Sequence, residues 1–365
     1  MPEPVKLRVL IVDDAVVVRK ALSDALSLDP ELEVAGTASN GRLALAKFSQ
    51  LHPDVVLLDI EMPEMDGLEA VVELRKLDRH VPIIMFSTLT ERGASATLEA
   101  LSRGATDYVT KPSNRDMETT AHTVLEELIP KIKALCKSRT AAMKPGIAAL
   151  ASCAPGTPPM TRRAPLLASA VKVVTIGVST GGPEALARLL PTLPKSLGVP
   201  IVIAQHMPPV FTALLASRLA TKCAVQVREC SSGEPLVPGA VWIAPGDFHM
   251  TVSREEGILR LRTNQGPREN YCRPSVDVLF RSVANIYGSK ALGVILTGMG
   301  QDGLKGCKAL IAEGSRVIVQ DEASSVVWGM PGFVARAGLA EKILPLTEIG
   351  PEIERRVTRA LQAAP

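Results

Sequence analysis

Twice along this chain, short apolar runs alternate with segments of helical period, and that alternation constrains the fold more than any other feature. In the first half the runs are LRVLIVDD, LEVAGTAS, VVLLDI, PIIMFST and TDYVTK; in the second they are VKVVTIGVST, VPIVIAQHM, AVWIAPGD, ALGVILTGM and SRVIVQDE. Stretches such as LEAVVELRKL and PEALARLLPTL, between them, carry apolar residues at i, i+3, i+4 spacing. Repeated βα units bury both faces of their strands as a parallel sheet covered by helices. The expectation is α/β: two doubly wound parallel-sheet domains, the second with an inserted antiparallel hairpin at TVSREEGILRLRT, Thr251 to Thr263. Chemistry then belongs at the carboxyl ends of the strands.

A length of 365 residues exceeds one ordinary core. The boundaries read as 1–137 for the first domain, 138–170 for a linker rich in Ala, Pro, Ser and Gly, and 171–365 for the second domain. No acidic residue lies between Glu127 and Glu184, whereas Lys131, Lys133, Lys137, Arg139, Lys144, Arg162, Arg163 and Lys172 do. Solvation of an apolar tether accounts for that charge; docking of an acidic partner is the sharper alternative.

The net charge of +3 is too small to imply nucleic-acid binding. No apolar run approaches the roughly 18–20 residues of a membrane-spanning helix, and MPEPVKLRVLIVDD enters a strand pattern at once, which argues against a signal peptide. Cys136, Cys153, Cys223, Cys230, Cys272 and Cys307 are scattered without a C-x-x-C pair, against both a disulfide framework and a structural zinc site. A cytoplasmic protein is expected.

In the first half, Asp13 and Asp14 end the first run, Asp59 the third, Ser87 the fourth and Lys111 the fifth. Three carboxylates at one sheet edge repel one another unless a divalent cation sits among them, and oxygen ligands favour Mg²⁺ over zinc. A hydroxyl and an ammonium beside them suit phosphoryl transfer to Asp59. On these residues, Leu7 to about Leu135 resembles a response-regulator receiver domain, a flavodoxin-like fold. The resemblance implies that Asp59 is the phosphoacceptor and that Asp14, Asp59 and the backbone carbonyl of Glu61 hold Mg²⁺, with Asp13 helping. It also implies that Ser87 is the switch hydroxyl, Tyr108 the switch aromatic and Lys111 the charge-balancing lysine. Ala15 replaces the small polar residue usual after the acidic pair.

In the second half, Ser179 sits in a G-x-S-x-G frame within TIGVSTGGPEALARLL. A serine nucleophile needs a base and a group that orients the base. His52, His80 and His122 fall on helices or helix ends of the first domain, and the flanks of His249 read as the start of the hairpin. His206 ends the next strand, VPIVIAQHM, on the sheet edge where Ser179 emerges. Asp302 in LTGMGQDGLKG is the preferred acid over Asp247 and Asp321, because its glycine-rich loop permits close backbone approach. The order Ser, His, Asp differs from that of α/β-hydrolases, chymotrypsin and subtilisin.

IGVSTGGPEAL, QHMPP, CRPSVDVLF, LTGMGQDG and WGMPG, in that order, resemble the catalytic domain of chemotaxis protein-glutamate methylesterases, and with the receiver in front the chain resembles the CheB family. That resemblance implies a Rossmann-like serine-hydrolase domain with Ser179, His206 and Asp302 as triad. Thr180, Gly181, Gly182 and Met299 would line the site, with backbone N–H groups at the start of the following helix facing the oxyanion. The implied reaction is hydrolysis of glutamate methyl esters on chemoreceptor cytoplasmic domains with release of methanol, together with deamidation of receptor glutamines, and it needs no cofactor. A chemotaxis histidine kinase would phosphorylate Asp59 and relieve a block of the cleft by the receiver. Two alternatives are an esterase acting on a non-receptor substrate and a DNA-binding output domain; the second half has no helix-turn-helix pattern and no basic recognition face.

Overall fold

The computed structural model describes residues 6–111, 124–143 and 170–362. In the first domain the order is β1 (Leu7–Val12), α1 (Val16–Leu26), β2 (Leu32–Ala38), α2 (Gly41–Leu51), β3 (Val55–Asp59), α3 (Gly67–Leu77), β4 (Ile83–Ser87), α4 (Glu91–Arg103) and β5 (Asp107–Thr110). A π-helical turn, Val124–Leu128, leads into α5 (Ile129–Met143), which continues past Lys137 into the stretch read as linker. Residues 144–169 of that linker, and His122, lie outside the described residues. The strands form one parallel sheet in the order β2-β1-β3-β4-β5. Val9, Leu10, Ile11, Val55, Val56, Leu58, Ile83 and Ile84 are fully buried, which is why their runs are continuously apolar rather than alternating.

The second domain runs β6 (Val173–Val178), α6 (Gly182–Leu189), β7 (Ile201–Gln205), α7 (Phe211–Ala220), β8 (Gln226–Glu229), β9 (Ala240–Ile243), β10 (His249–Glu255), β11 (Ile258–Asn264), α8 (Val276–Tyr287), β12 (Ala291–Ile295), α9 (Leu304–Ala312), β13 (Arg316–Gln320), α10 (Met330–Arg336), β14 (Lys342–Leu344) and α11 (Leu346–Gln362). Its parallel sheet has the order β14-β13-β12-β6-β7-β9-β8. The expected hairpin is present as the antiparallel pair β10/β11, turned by Glu256 and Gly257 at φ 49° and 81°. Positive φ at both turn residues matches the twist of the flanking strands. The two edge strands β8 and β14 are additional to the sequence reading; each is short and half exposed, so neither shows an apolar run.

In both sheets the chain leaves a central strand in opposite directions, and the resulting crevice lies at the carboxyl ends of β1 and β3 in one domain and of β6 and β12 in the other. The domains also share buried surface. The rings of Tyr108 and Phe211 stack at 4.8 Å with 6° between planes, and Arg218 bonds Glu99 at 2.9 Å and Ser102 at 2.7 Å. Helix α4 rests on α6 and α7, while Val327, with Met299 and Val326, packs into the first domain's core on its β1/α5 side. Among the described residues, no helix is long and apolar enough to cross a membrane.

Candidate active site and phosphoacceptor pocket

Asp13 and Asp14 follow β1 and Asp59 closes β3; because these strands are neighbours, oxygens of all three carboxylates lie within 4.8 Å of one another. Lys111, just beyond β5, reaches across to Asp13 at 2.8 Å and Asp59 at 2.7 Å. Ser87 is buried at the end of β4, with its hydroxyl on the Gly93 carbonyl at 3.2 Å. Glu61 lies exposed beside the pocket, its side chain 3.3 Å from Arg92. Ala15 leaves α1 without a side-chain cap. Arg19 ties the turn instead, donating to the carbonyls of Asp13 and Asp14 at 2.6 and 2.9 Å.

Burial raises the Asp59 carboxyl from 3.8 to about 6; the Lys111 ammonium acts against that shift and the Asp13 charge adds to it. An aspartate whose folded value lies above its unfolded one gives up its proton first in the unfolded chain. Stability therefore falls as pH rises between about 4 and 6 and stays lower above that range. Asp59→Asn is accordingly expected to stabilise the protein at pH 8 by about 3 kcal/mol, with the gain shrinking toward zero near pH 4. Urea unfolding of both proteins across that range checks it; a gain independent of pH would contradict the assignment.

In the second domain, β6 and β7 pair with Val178 opposite Gln205, so Ser179 and His206 leave the sheet side by side. The His206 N–H still donates to the Val178 carbonyl at 3.1 Å, and the Ser179 N–H to that of Thr297 at 3.1 Å. Thr297 locks the crevice. Its hydroxyl donates to the Thr180 carbonyl at 3.0 Å and accepts from the Val327 N–H at 3.1 Å, while its own N–H meets Gln320 at 2.8 Å. The turn after Ser179 requires Gly181, whose φ is 74° and whose added Cβ would lie 2.6 Å from Val326.

His206 Nε2 pairs with Asp302 Oδ2 at 2.8 Å. Asp302 also accepts the Val276 N–H at 2.7 Å and the Asp277 N–H at 3.2 Å, at the N-terminus of α8, where the helix dipole favours negative charge. The Ser275 hydroxyl and the Asn270 amide donate to it at 2.9 Å each. Burial alone would raise this carboxyl; the His206 hydrogen bond and the other donors override burial and hold it far below the usual carboxylate range. Burial likewise opposes a charged His206, but the Cys272 sulfur and Asp302 outweigh it, and His206 is raised. Asp302 can thus stay ionised and stabilise an imidazolium.

Of the competing groups, Asp247 is bound by Arg273 at 2.7 Å, and Asp321 holds Ser324 at 2.5 Å. His249 is buried and satisfied, accepting the Ser275 N–H at 3.2 Å while its Nε2 meets the Pro267 carbonyl at 2.9 Å. Among the amides of the Ser179 turn, that of Gly182 is engaged by the Ser179 carbonyl at 2.8 Å. Those of Thr180 and Gly181 have no acceptor among the described residues. Met299 lies in the loop between Thr297 and Asp302. Asn270, Ser275 and Asp277 carry no strand-end signature of their own; the runs QHMPP and CRPSVDVLF contain Gln205, Ser275 and Asp277 but not Asn270.

A receiver-type carboxylate pocket on one parallel sheet, joined to a serine–histidine–aspartate set on another, defines a response regulator with a hydrolase output domain. Residues 9–121 match the family model of the response regulator receiver domain and residues 174–353 that of the CheB methylesterase. The chain is 53% identical over 364 residues to a protein-glutamate methylesterase/protein-glutamine glutaminase of Nocardioides sp., covering 97% of this chain and 96% of that protein. It is 49% identical over 355 residues to the protein so named in Trichodesmium erythraeum, covering 96% and 99%. The crystal structure of the Thermotoga maritima CheB methylesterase catalytic domain superposes with a TM-score of 0.50 at 42% identity, covering 51% of this chain and 98% of that one. The chain belongs to the CheB methylesterase family, with a receiver domain in front.

Proposed function

We propose that the protein removes methyl groups from glutamate γ-methyl esters on the cytoplasmic domains of chemoreceptors, deamidates glutamines in the same substrates, and does so under control of phosphorylation at Asp59. The observation that carries the chemistry is the His206–Asp302 pair beside Ser179. Asp302 accepts from Nε2, so the ring's Nδ1 is the atom that takes the Ser179 proton, the reverse of the ring assignment in chymotrypsin. Ser179 attacks the ester carbonyl, the oxyanion faces the Thr180 and Gly181 amides, and methanol leaves with the proton from His206. Water then releases glutamate from the acyl-enzyme. A glutamine side chain follows the same course with ammonia as leaving group.

For phosphorylation, three carboxylates against one lysine form an oxygen-only, net negative donor set, which fits Mg²⁺. Asp13, Asp14, Asp59 and the Glu61 carbonyl would hold it, and it would neutralise charge on the incoming phosphoryl group. Lys111 supplies the remaining positive charge and Ser87 a hydroxyl. The phosphodonor is a chemotaxis histidine kinase. Control follows from where the receiver sits: α4 rests on α6 and α7, the helices that begin just after Ser179 and His206. A receiver in that place restricts access to the cleft, and phosphorylation favours its departure.

The test is release of labelled methanol from receptor-containing membranes carrying methyl-labelled glutamate. Release that rises with a small-molecule phosphodonor is expected. No release from receptors, with hydrolysis of small methyl esters intact, would assign the site to a non-receptor substrate.

A further inference from the structure

Cys272 lies 66 positions from His206 in sequence, yet its Sγ is 3.4 Å from His206 Nδ1. The opposite ring nitrogen is occupied by Asp302, so Nδ1 is the ring atom that faces the sulfur and the one a metal would take once it is deprotonated. A tetrahedral zinc, with bonds of about 2.05 Å to nitrogen and 2.3 Å to sulfur, spaces those two ligands by about 3.5 Å. The carboxylate on the far nitrogen is the outer-sphere partner that metal-bound histidines characteristically have. Ligand atoms of His206, Cys272 and Asp302 all fall within 4.8 Å of one another, and both His206 and Cys272 are only partly buried.

We propose that His206 and Cys272 form an inhibitory site for a thiophilic divalent cation, zinc above all, with Asp302 holding the ring from behind and water completing the coordination. On binding, the Cys272 thiol and the His206 Nδ1 each give up any proton they carry to solvent as the metal–sulfur and metal–nitrogen bonds form, so the Nδ1 lone pair is taken up by the metal. That lone pair is the base for Ser179, so the esterase is switched off with its fold intact; this consequence rests on the catalytic reading above, whereas the metal site itself does not. Oxygen-rich Asp13, Asp14 and Asp59 in the other domain suit a hard cation instead, so the two sites differ in donor chemistry.

The experiment uses the full chain and two readouts. Titration with Co²⁺ is expected to produce a sulfur-to-cobalt charge-transfer band in the near ultraviolet that zinc displaces and that Cys272→Ser and Cys272→Ala lack; cobalt on the receiver carboxylates gives no such band. In the esterase assay, each protein being compared with its own metal-free rate, zinc inhibits wild type, EDTA restores it, and the Cys272 variants need at least about tenfold more zinc for the same inhibition. An identical band in the variants, or no band at all, overturns the site. A band in wild type alone, with zinc leaving activity untouched, supports the site and overturns the role of Nδ1 as base.

Discussion

Ser179→Ala is expected to lower methanol release by about four to six orders of magnitude while leaving the melting temperature within a degree or two, since the hydroxyl has no hydrogen-bond partner among the described residues. Asp302→Asn is expected to be comparably inactive for a different reason, and it should also unfold at lower temperature. Its carboxylate receives the Val276 and Asp277 amides, Ser275, Asn270 and His206 at once, so an amide NH₂ in its place must face at least one donor. Leaving such a buried network unpaired costs about 3 kcal/mol. Thermal melts beside single-turnover assays separate the two. A Ser179→Ala protein retaining a tenth of wild-type activity would remove serine from the mechanism, and an Asp302→Asn protein of unchanged stability would contradict the network.

The second large effect concerns the domain contact. The Glu99–Arg218 ion pair is partly exposed and contributes at most about 1 kcal/mol. The buried stack of Tyr108 on Phe211 contributes about 0.5–1.5 kcal/mol beyond its buried area. Tyr108→Ala should thus weaken the covered arrangement more than Arg218→Ala, and it leaves Ser179, His206 and Asp302 unaltered. The expected result is basal esterase activity raised about tenfold or more, with correspondingly little further gain from a phosphodonor. Asp59→Asn should show the complement: basal activity kept, activation lost. Full activation of Asp59→Asn would exclude Asp59 as phosphoacceptor, and unchanged basal activity in Tyr108→Ala would mean that the stack does not restrain the esterase.

Asp277 shows how far strand-end reasoning reaches. It stands in the first turn of α8, in the ordinary place for an acidic helix-starting residue, and the sequence gives no sign that it shares Asn270 with Asp302 and accepts the Gly306 amide at 2.6 Å. Burial raises its carboxyl, with the nearby Asp302 charge adding to the shift, so the two neighbouring acids are moved in opposite directions. Cys272 is a similar case, because its importance depends wholly on which ring nitrogen of His206 it faces.

By itself the sequence determined the βα alternation, both parallel sheets and the residues that emerge at their carboxyl ends. Those properties follow from local periodicity: continuous apolar runs pair as buried strands, and a parallel sheet necessarily gathers its strand ends along one edge. Only the tertiary structure decided the ring-nitrogen assignment of His206, the donors that keep Asp302 ionised, the nearness of Cys272, and the stacking of Tyr108 on Phe211. Each depends on groups brought together from distant parts of the chain by loop geometry and by packing between domains, which leave no periodic trace in the sequence.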